Sequence, residues 1–344
     1  MSLHKTRLPM LPLVDGKQRT VEYVRISLTD RCNYRCSYCM PEEGVELVPK
    51  ADVLSFEEIE RLVRALMQVG VRRVRLTGGE PTVRKDLVEL VARLGRLGLD
   101  DLAMTTNGER LVELAAPLHQ AGLSRLNVSV DTLDPERFLR ITRRGRLGVV
   151  LDGIDAALRA GFVGTKVNVV ALAGFNDDEL PSLCGWAWEH DLTPRFIEFM
   201  PMGDGALFSA GDFLSAAAIR TRLTEAFGVL TPARSGLPGV GPARYEVVAS
   251  GRWAGRQLGI ISAVTEPFCD VCNRIRVSAT GRLHTCLGID AADQSDLRGP
   301  LRAGASDEEL TSRVRALLAD KTAGHGFTSC GTGGPQKHMV VIGG

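Results

Sequence analysis

The chain has 344 residues, enough for one large domain with an appended second unit. Its composition, 44% hydrophobic and 24% charged, is that of an ordinary soluble globular protein. The 42 Lys and Arg nearly balance the 41 Asp and Glu, and a net charge of +1 gives no general field for holding a long nucleic acid. We therefore expect no nucleic-acid partner, and any bound anion has to meet a local group of basic residues.

The N-terminal segment MSLHKTRLPMLPLVDGK carries early positive charges, but Pro9, Pro12 and Asp15 interrupt its apolar stretch and exclude a secretory core. No later run approaches the roughly 20 apolar residues that a membrane helix needs. We therefore predict a cytoplasmic protein without a membrane partner. Thiols stay reduced in that compartment, so the eight cysteines favour metal ligation over a disulfide framework.

From Val21 to about Met200, short runs typical of β-strands alternate with amphipathic helical stretches, which is the pattern of a parallel α/β architecture. The first helical stretch, SFEEIERLVRALMQVG, begins with a capping box of Ser55 and Glu58 and ends at Gly70. Six strands are predicted, in the order EYVRISL, RRVRLT, LAMTT, RLNVSV, KVNVVA and RFIEFM.

A doubly wound sheet and a barrel share this alternation, but no GxGxxG follows the first strand to favour a dinucleotide-binding fold. Six units make about three quarters of a TIM-type barrel, so we predict an incomplete (β/α)6 barrel that is open on one side. Chemistry in such folds lies at the carboxyl ends of the strands. Four motifs begin where predicted strands end and should meet on one rim: TDRCNYRCSYCM, TGGEP, TTNG and MPMG.

After about Gly205 the pattern changes to a helix, a Gly/Pro-rich stretch (RSGLPGVGPAR) and short β-like runs. We place the domain boundary in that stretch. Residues 1–235 form the partial barrel, and residues 236–344 form an α+β region that closes the open side and ends in a Gly-rich tail. A late helix starts at Ser306, where Glu309 completes a second capping box.

Three cysteines, Cys32, Cys36 and Cys39, have a CxxxCxxC spacing that lets one loop wrap three thiolates around a metal centre. Four thiolates would saturate an iron–sulfur cube, whereas three leave one iron open for another ligand. The alternatives without an open iron are three unrelated buried cysteines or a zinc site. Zinc would need a fourth protein ligand, and no histidine lies close in sequence.

A second group lies in FCDVCNRIRVSATGRLHTCL, where the CxxC of Cys269 and Cys272 precedes Cys286. This set is compatible with another three-ligand cluster. It is about equally compatible with a Cys3His zinc site, because His284 lies two residues before Cys286.

The CxxxCxxC motif followed by TGGEP resembles the radical S-adenosylmethionine (SAM) superfamily. The wider sequence resembles the GTP 3′,8-cyclase family, which performs the first step of molybdenum cofactor biosynthesis, in RISLTDRCNYRCSYCMP, RLTGGEP, TTNG, NVSVDT, KVNVV, RFIEFMPMG, FCDVCNRIR and the terminal IGG. The resemblance runs from about Arg25 to Gly344. It implies a lyase with two [4Fe–4S] clusters that uses SAM, an electron donor and a 5′-deoxyadenosyl radical to convert GTP into 3′,8-cyclo-7,8-dihydro-GTP.

The resemblance also implies roles for single residues. One cluster would be held by Cys32, Cys36 and Cys39, and a second, whose open iron meets the guanine, by Cys269, Cys272 and Cys286. SAM contacts fall on Tyr38, Gly79, Ser129 and Met200. GTP contacts fall on Arg25, Arg75, Thr105, Lys166, Arg195, Arg274 and Arg276. The residues expected to act in catalysis are Arg274, Arg276, Gly343 and Gly344, the two glycines leaving room beside the substrate.

Charged residues within a strand of a buried sheet are costly unless they are paired, which favours a phosphate site for these arginines. A solvated surface face is the alternative for each of them taken alone. By resemblance we also expect a homodimer, and transfer of the product to cyclic pyranopterin monophosphate synthase.

Two other functions stay open. A radical SAM enzyme with an auxiliary cluster could instead modify a peptide, although NRIR and the terminal double glycine argue against it. A non-catalytic metal-binding or electron-transfer protein would leave TGGEP and the open ligand position unexplained.

Overall fold

A parallel sheet built from alternating strands and helices forms the centre of the fold. The computed structural model describes residues 11–203, 205–233 and 241–343. The first six strands are β1 (Tyr23–Ser27), β2 (Arg73–Thr77), β3 (Asp101–Thr106), β4 (Arg125–Ser129), β5 (Lys166–Ala171) and β6 (Thr193–Glu198). They are parallel and adjacent in chain order, so the six predicted β/α units are confirmed.

Helices connect these strands. They are α1 (Phe56–Gln68), α2 (Leu87–Gly95), α3 (Leu111–Gln120), α4 (Pro135–Thr142), α5 (Leu147–Arg159), α6 (Leu180–Glu189) and, after β6, α7 (Ala216–Phe227). The predicted capping box starts α1, since the Ser55 hydroxyl accepts from the Glu58 N–H and the Glu58 carboxylate accepts from the Ser55 N–H. The buried stripe of α1, including Ile59 and Leu66, packs into one core with Val24 and other strand residues.

Strand alternation divides β1 between two environments. Val24 and Ile26 are fully buried in the helix-covered core, whereas Arg25 lies between them and faces the opposite side of the sheet, where it lines a cavity. A sheet with an apolar outer face and a polar inner face is what a partial barrel with an internal site requires.

The C-terminal part of the chain adds strands to both edges of the sheet. They are β7 (Leu230–Pro232), β8 (Arg244–Val248), β9 (Gln257–Ile261), β10 (Arg274–Val277) and β11 (Leu283–His284). β9 pairs with β6 and β10 pairs with β1, both in parallel. The resulting eleven-stranded sheet has the order β11-β10-β1-β2-β3-β4-β5-β6-β9-β8-β7 and does not close, which agrees with the predicted incomplete barrel. The expected boundary between residues 235 and 236 lies outside the described residues.

The remaining helices are α8 (Arg298–Arg302), α9 (Asp307–Ala319) and α10 (Met339–Ile342). The second predicted capping box, Ser306 with Glu309, starts α9, which packs on α1. The single turn α10 leads to Gly343, whose Cα lies against Ser27 and Thr77 at the ends of β1 and β2. No helix in the described part of the chain has the length and apolar character needed to cross a bilayer.

Candidate active site

The carboxyl ends of the parallel strands open into one cavity of about 280 Å³. Most predicted site residues line it: Arg25, Cys32, Cys36, Tyr38, Cys39, Arg75, Gly79, Thr105, Ser129, Arg195, Met200, Cys269, Cys272, Arg274, Arg276 and Cys286. Lys166 and Gly343 are not part of this wall, and Gly344 lies outside the described residues. Motifs that are far apart in the sequence therefore meet on one rim.

The first cysteine loop, which follows β1, lines the cavity with three half-buried cysteines. The Tyr34 N–H donates to Cys32 Sγ at 3.4 Å, and the Val340 N–H of α10 donates to Cys39 Sγ. Burial raises the pKa of Cys32 to about 11 and that of Cys39 to about 12. A positively charged metal centre would hold such thiols as thiolates.

The loop after β2 packs tightly on the cysteine loop. A side chain at Gly79 would place its Cβ 2.4 Å from the carbonyl oxygen of Arg31, so glycine is required by this close approach. The next residue, Glu80, is buried and accepts hydrogen bonds from Thr106 Oγ1 and the Asn107 N–H, both at 2.7 Å. Glu80 thus ties TGGEP to TTNG, a role that the sequence analysis missed although both motifs had been noted.

Tyr38 is fixed by a residue that the sequence analysis also overlooked. Its hydroxyl donates to Asp131 Oδ2 at 2.8 Å, and Asp131 Oδ1 accepts from the Val170 N–H at 2.8 Å. Burial raises the pKa of Asp131 to about 6. The phenol of Tyr38 is thus engaged by Asp131 within the protein. Ser129 and Met200 line the same cavity.

Three arginines stand side by side across the sheet. Arg25 of β1 is in register with Arg75 of β2 and with Arg276 of β10, and all three line the cavity. Burial, together with the charges of Arg25 and Arg274, lowers the pKa of Arg276 well below its usual value. Like charges on neighbouring strands are destabilising. An anion bound in the cavity would offset that cost.

Arg195 of β6 adds a fourth arginine to these three in the cavity lining. These four arginines form a basic wall: Arg25, Arg75, Arg195 and Arg276. Arg195 is 6% exposed, and burial lowers its pKa to about 10. One of its terminal nitrogens donates to Asn168 Oδ1, but the buried Nε atoms of Arg195 and Arg75 find no hydrogen-bond partner among the described residues. Buried donors of this kind require an acceptor. The acidic residues of the described cavity wall are Glu80 and Asp131.

Lys166 occupies a different position from the other predicted basic contacts. Its Nζ donates to Tyr245 Oη at 2.9 Å and also lies 5.0 Å from the centre of that ring. Burial lowers the pKa of Lys166. Neither Lys166 nor Tyr245 belongs to the described cavity lining, whereas Thr105 of β3 does and accepts a 3.4 Å hydrogen bond from Asn127.

The second cysteine group lines the same cavity as the first loop. Cys269 and Cys272 flank a short 3-10 turn before β10, and Cys286 follows β11. Burial raises the pKa of Cys272, but the charges of Arg274 and Lys321 outweigh burial and lower it to about 7. The donor set is thus three sulfur atoms with cationic neighbours.

His284 lines a different cavity from these cysteines. Its ring lines a separate cavity of about 180 Å³ together with Asp30 and Lys337. Burial and the charges of Arg276 and Lys337 lower its pKa to about 4. This placement favours a site of three sulfurs over the Cys3His arrangement that the spacing left open. No three Cys, His, Asp or Glu side chains in the described ranges approach as closely as a single ion requires.

The C-terminal tail is attached to the basic wall. The carbonyl oxygen of Gly343 accepts hydrogen bonds from Arg276 Nη1 at 2.8 Å and from Thr77 Oγ1 at 3.1 Å. Gly343 has φ +82°, and a Cβ there would lie 2.7 Å from the Cβ of Ser27. Both the backbone conformation and the close packing therefore require glycine.

Comparison with known proteins identifies the family. Residues 26–187 match the model described as the Radical SAM superfamily, and residues 192–327 match Molybdenum Cofactor Synthesis C. A GTP 3′,8-cyclase of Rhodopirellula baltica is 44% identical, covering 97% of this chain and 92% of the relative. The chain belongs to the GTP 3′,8-cyclase family. A second relative, from Paracoccus denitrificans, is 47% identical, covering 92% of this chain and 90% of its own length.

Solved structures agree with this family on the fold. Streptococcus suis SuiB bound to S-adenosylmethionine matches with a TM-score of 0.59 at 16% identity, covering 86% of this chain and 68% of that chain. Another SuiB structure gives a TM-score of 0.57 at 14% identity, covering 78% of this chain and 60% of that chain. At such identities the likeness concerns the fold alone, and it confirms the predicted radical SAM partial barrel.

Membership of a radical SAM family implies SAM and a [4Fe–4S] cluster. The first cysteine loop fits such a cluster, because Cys32, Cys36 and Cys39 offer three sulfurs, and backbone N–H groups donate to two of them. Amide hydrogen bonds to the sulfurs are among the features that tune iron–sulfur sites. The glycine cradle at Gly79 and the buried Asp131–Tyr38 pair hold this loop in place.

Proposed function

We propose that this chain converts GTP into 3′,8-cyclo-7,8-dihydro-GTP, the first step of molybdenum cofactor biosynthesis. The observation that carries the proposal is one cavity that is lined by two groups of three cysteines and by several arginines. The GTP 3′,8-cyclases of Rhodopirellula baltica and Paracoccus denitrificans, which match almost the whole chain, support the same reaction.

At one end of the cavity, Cys32, Cys36 and Cys39 hold a [4Fe–4S] cluster with one iron left for SAM. Together, the bound cluster and SAM supply a carbon-centred radical that removes a hydrogen atom from the substrate. The chain itself orients SAM through the backbone of Tyr38 and the side-chain-free backbone at Gly79. The side chains of Ser129 and Met200 also contact SAM.

At the other end, three arginines of the basic wall, Arg25, Arg75 and Arg195, bind the triphosphate. Arg75 and Arg195 each have a buried Nε without a hydrogen-bond partner among the described residues, and Arg25 stands in register with Arg75 on the neighbouring strand. Phosphate oxygens are suitable acceptors for such guanidinium groups. Thr105 adds a hydroxyl. Lys166, whose ammonium donates to Tyr245 and which is not part of the described cavity lining, contributes positive charge at longer range.

The guanine end of GTP lies against Arg274, Arg276 and a second [4Fe–4S] cluster held by Cys269, Cys272 and Cys286. Gly343 fixes the guanidinium of Arg276 through its carbonyl group and brings no side chain to this point. Holding the ribose and the base in one geometry is what intramolecular ring closure needs.

The second cluster, a cytoplasmic location, a homodimer, an external electron donor and transfer of the product to cyclic pyranopterin monophosphate synthase belong to the same proposal. The match of residues 192–327 to Molybdenum Cofactor Synthesis C supports the pathway, and this range contains all three cysteines of the second group.

An anaerobic assay tests the reaction. The protein is reconstituted with iron and sulfide, its iron and zinc are counted, and it is incubated with dithionite and SAM, with or without GTP. About eight irons per chain, in two cubes, and 5′-deoxyadenosine released together with the cyclised product only when GTP is present, support the proposal. Deoxyadenosine formation that ignores GTP contradicts the substrate, and zinc beside about four irons contradicts the second cluster.

Two variants separate the two ends of the cavity. Cys32→Ala should abolish SAM cleavage, because it removes a ligand of the first cluster. Arg274→Ala should leave reductive SAM cleavage possible but weaken GTP binding. Tight GTP binding by the Arg274 variant would contradict the assignment of that end to the substrate.

A further inference from the structure

Lys321 is a buried cation without a carboxylate partner. It follows α9 and is 3% exposed. Within the described ranges its ammonium donates to the Arg274 carbonyl oxygen at 2.8 Å and to Cys272 Sγ at 3.5 Å, and it forms no ion pair with Asp or Glu. Burying a charge is costly unless an opposite charge compensates it. The residue therefore points to a negative group at Cys272.

A second cation approaches the same sulfur. Arg274 Nη2 lies 4.0 Å from Cys272 Sγ, and its guanidinium is 4.8 Å from the centre of the Phe268 ring. A neutral thiol does not offset two positive charges. A metal cluster carried by three thiolates brings net negative charge to this point, and net charge and hydrogen bonds to sulfur are what set the reduction potential of such clusters.

The position of Lys321 is fixed by a separate clamp. Arg19 donates from Nη1 to the Cys269 carbonyl oxygen at 2.6 Å and from Nη2 to the Thr322 carbonyl oxygen at 2.8 Å. The same guanidinium is held by the buried Asp15, whose Oδ2 accepts from its Nε at 2.6 Å. The segment after α9 is thereby fastened to the turn that carries Cys269 and Cys272.

We propose that the Lys321 ammonium is the counter-ion of an iron–sulfur cluster at Cys269, Cys272 and Cys286, and that it raises the reduction potential of that cluster. The inference rests on the second cluster of the proposed function. Reduction adds negative charge to the cluster, and an adjacent buried cation stabilises the reduced form. Arg274 lines the substrate cavity, whereas Lys321 is not part of the described wall, so Lys321 acts on the cluster and not on GTP.

The test uses a background in which Cys32, Cys36 and Cys39 are replaced by alanine, so that any iron belongs to the second site. In this background we compare Lys321→Met, Lys321→Arg and, as an exposed control, Lys85→Met. Each protein is reconstituted anaerobically, its iron is counted, and the cluster is titrated by electron paramagnetic resonance against reference potentials without substrate.

We expect Lys321→Met to retain its iron. At the midpoint potential of the background protein, the ratio of reduced to oxidised cluster in Lys321→Met should be on the order of tenfold lower than in the background protein. Lys321→Arg and Lys85→Met should stay within about twofold, because the first keeps the charge and the second is remote.

An unchanged potential in Lys321→Met with full iron would overturn the counter-ion role while leaving the second cluster intact. Loss of iron in Lys321→Met but not in Lys321→Arg supports the role, because charge is then needed to hold the cluster at all. Loss in both variants would mean that the shape of the lysine matters and not its charge, which overturns the role. Absence of iron from the background protein itself would remove the second cluster, and the inference with it.

Discussion

Arg276 and Gly343, which are 67 positions apart, are joined by a 2.8 Å hydrogen bond from the guanidinium to the carbonyl oxygen. The bond connects β10, the strand after the second cysteine turn, to the last described residue of the chain. Thr77 of β2 donates to the same oxygen. The tail is therefore seated on the sheet at the point where the guanine end of the substrate is proposed to lie.

Replacement of Gly343 by alanine should disturb catalysis far more than stability. An alanine Cβ would be strained by the left-handed backbone of residue 343 and would lie 2.7 Å from the Cβ of Ser27, so the tail should move and release Arg276. A misplacement of about 1 Å can cost on the order of 100-fold in rate. Product formation is measured together with iron content, which should not change. Gly304→Ala is the control, because Gly304 also has positive φ, at +80°, but has open space around it. Equal activity in both variants would contradict the role of the tail.

The basic wall should not be uniform in its contribution to GTP binding. Arg195→Met removes donors that face the cavity, and loss of a charge-assisted hydrogen bond should weaken GTP binding about 10- to 100-fold. Lys166→Met should weaken it less than about threefold, because the ammonium is engaged by Tyr245 and the residue is not part of the described cavity lining. Anaerobic titration calorimetry of the reconstituted enzyme measures both. Equal losses would show that Lys166 reaches the triphosphate directly.

Much of the partial barrel could be predicted from the sequence, because its signals are local. Alternating strands and amphipathic helices follow the periods of their own segments, and the capping boxes at Ser55 and Ser306 are short-range patterns. The convergence of the cysteine and glycine motifs follows from strand direction, since the carboxyl ends of parallel strands share one edge.

The edges of the sheet and the supports of the site could not be predicted in this way. Pairing of β10 with β1 joins segments about 250 residues apart, and nothing local to NRIR indicates which strand it meets. The sequence around Arg19 and Lys321 contains no recognisable motif. Their contribution to the second cysteine site arises from burial and from partners far along the chain. The contact of Tyr38 with Asp131 likewise joins two loops that have no shared pattern.

The position of His284 predicts that the second metal site does not depend on it. His284→Asn should retain the full iron content and gain no zinc, because the ring lines a different cavity from the three cysteines. Cys286→Ser should lose iron from the second site, since a hydroxyl is a poor substitute for a thiolate ligand. Metal analysis after anaerobic reconstitution compares the two variants. Loss of iron or gain of zinc in the histidine variant would reinstate the Cys3His alternative.

The buried pair of Asp15 and Arg19 should contribute more stability than an exposed pair of the same spacing. Arg19→Met leaves the Asp15 carboxylate buried without its cation, which costs about 3–5 kcal/mol. Arg64→Met breaks the more exposed i,i+4 pair with Glu60 and should cost about 0.5 kcal/mol or less. Thermal unfolding of the metal-free proteins compares them, and equal midpoints would contradict the prediction.

The pair of Asp15 and Arg19 also predicts how the loss of stability in Arg19→Met depends on pH. Burial alone would raise the pKa of Asp15, but hydrogen bonds from Arg19 and Lys17 hold it below the usual value of 3.8. The carboxylate therefore stabilises the folded chain above that value, and the contribution is lost as the pH falls through the lower pKa of the folded state. The gap in unfolding midpoint between wild type and Arg19→Met should thus be full at neutral pH and shrink below about pH 4. A gap that stays constant across that range would mean that Arg19 stabilises the fold through its carbonyl contacts at Cys269 and Thr322, and not through Asp15.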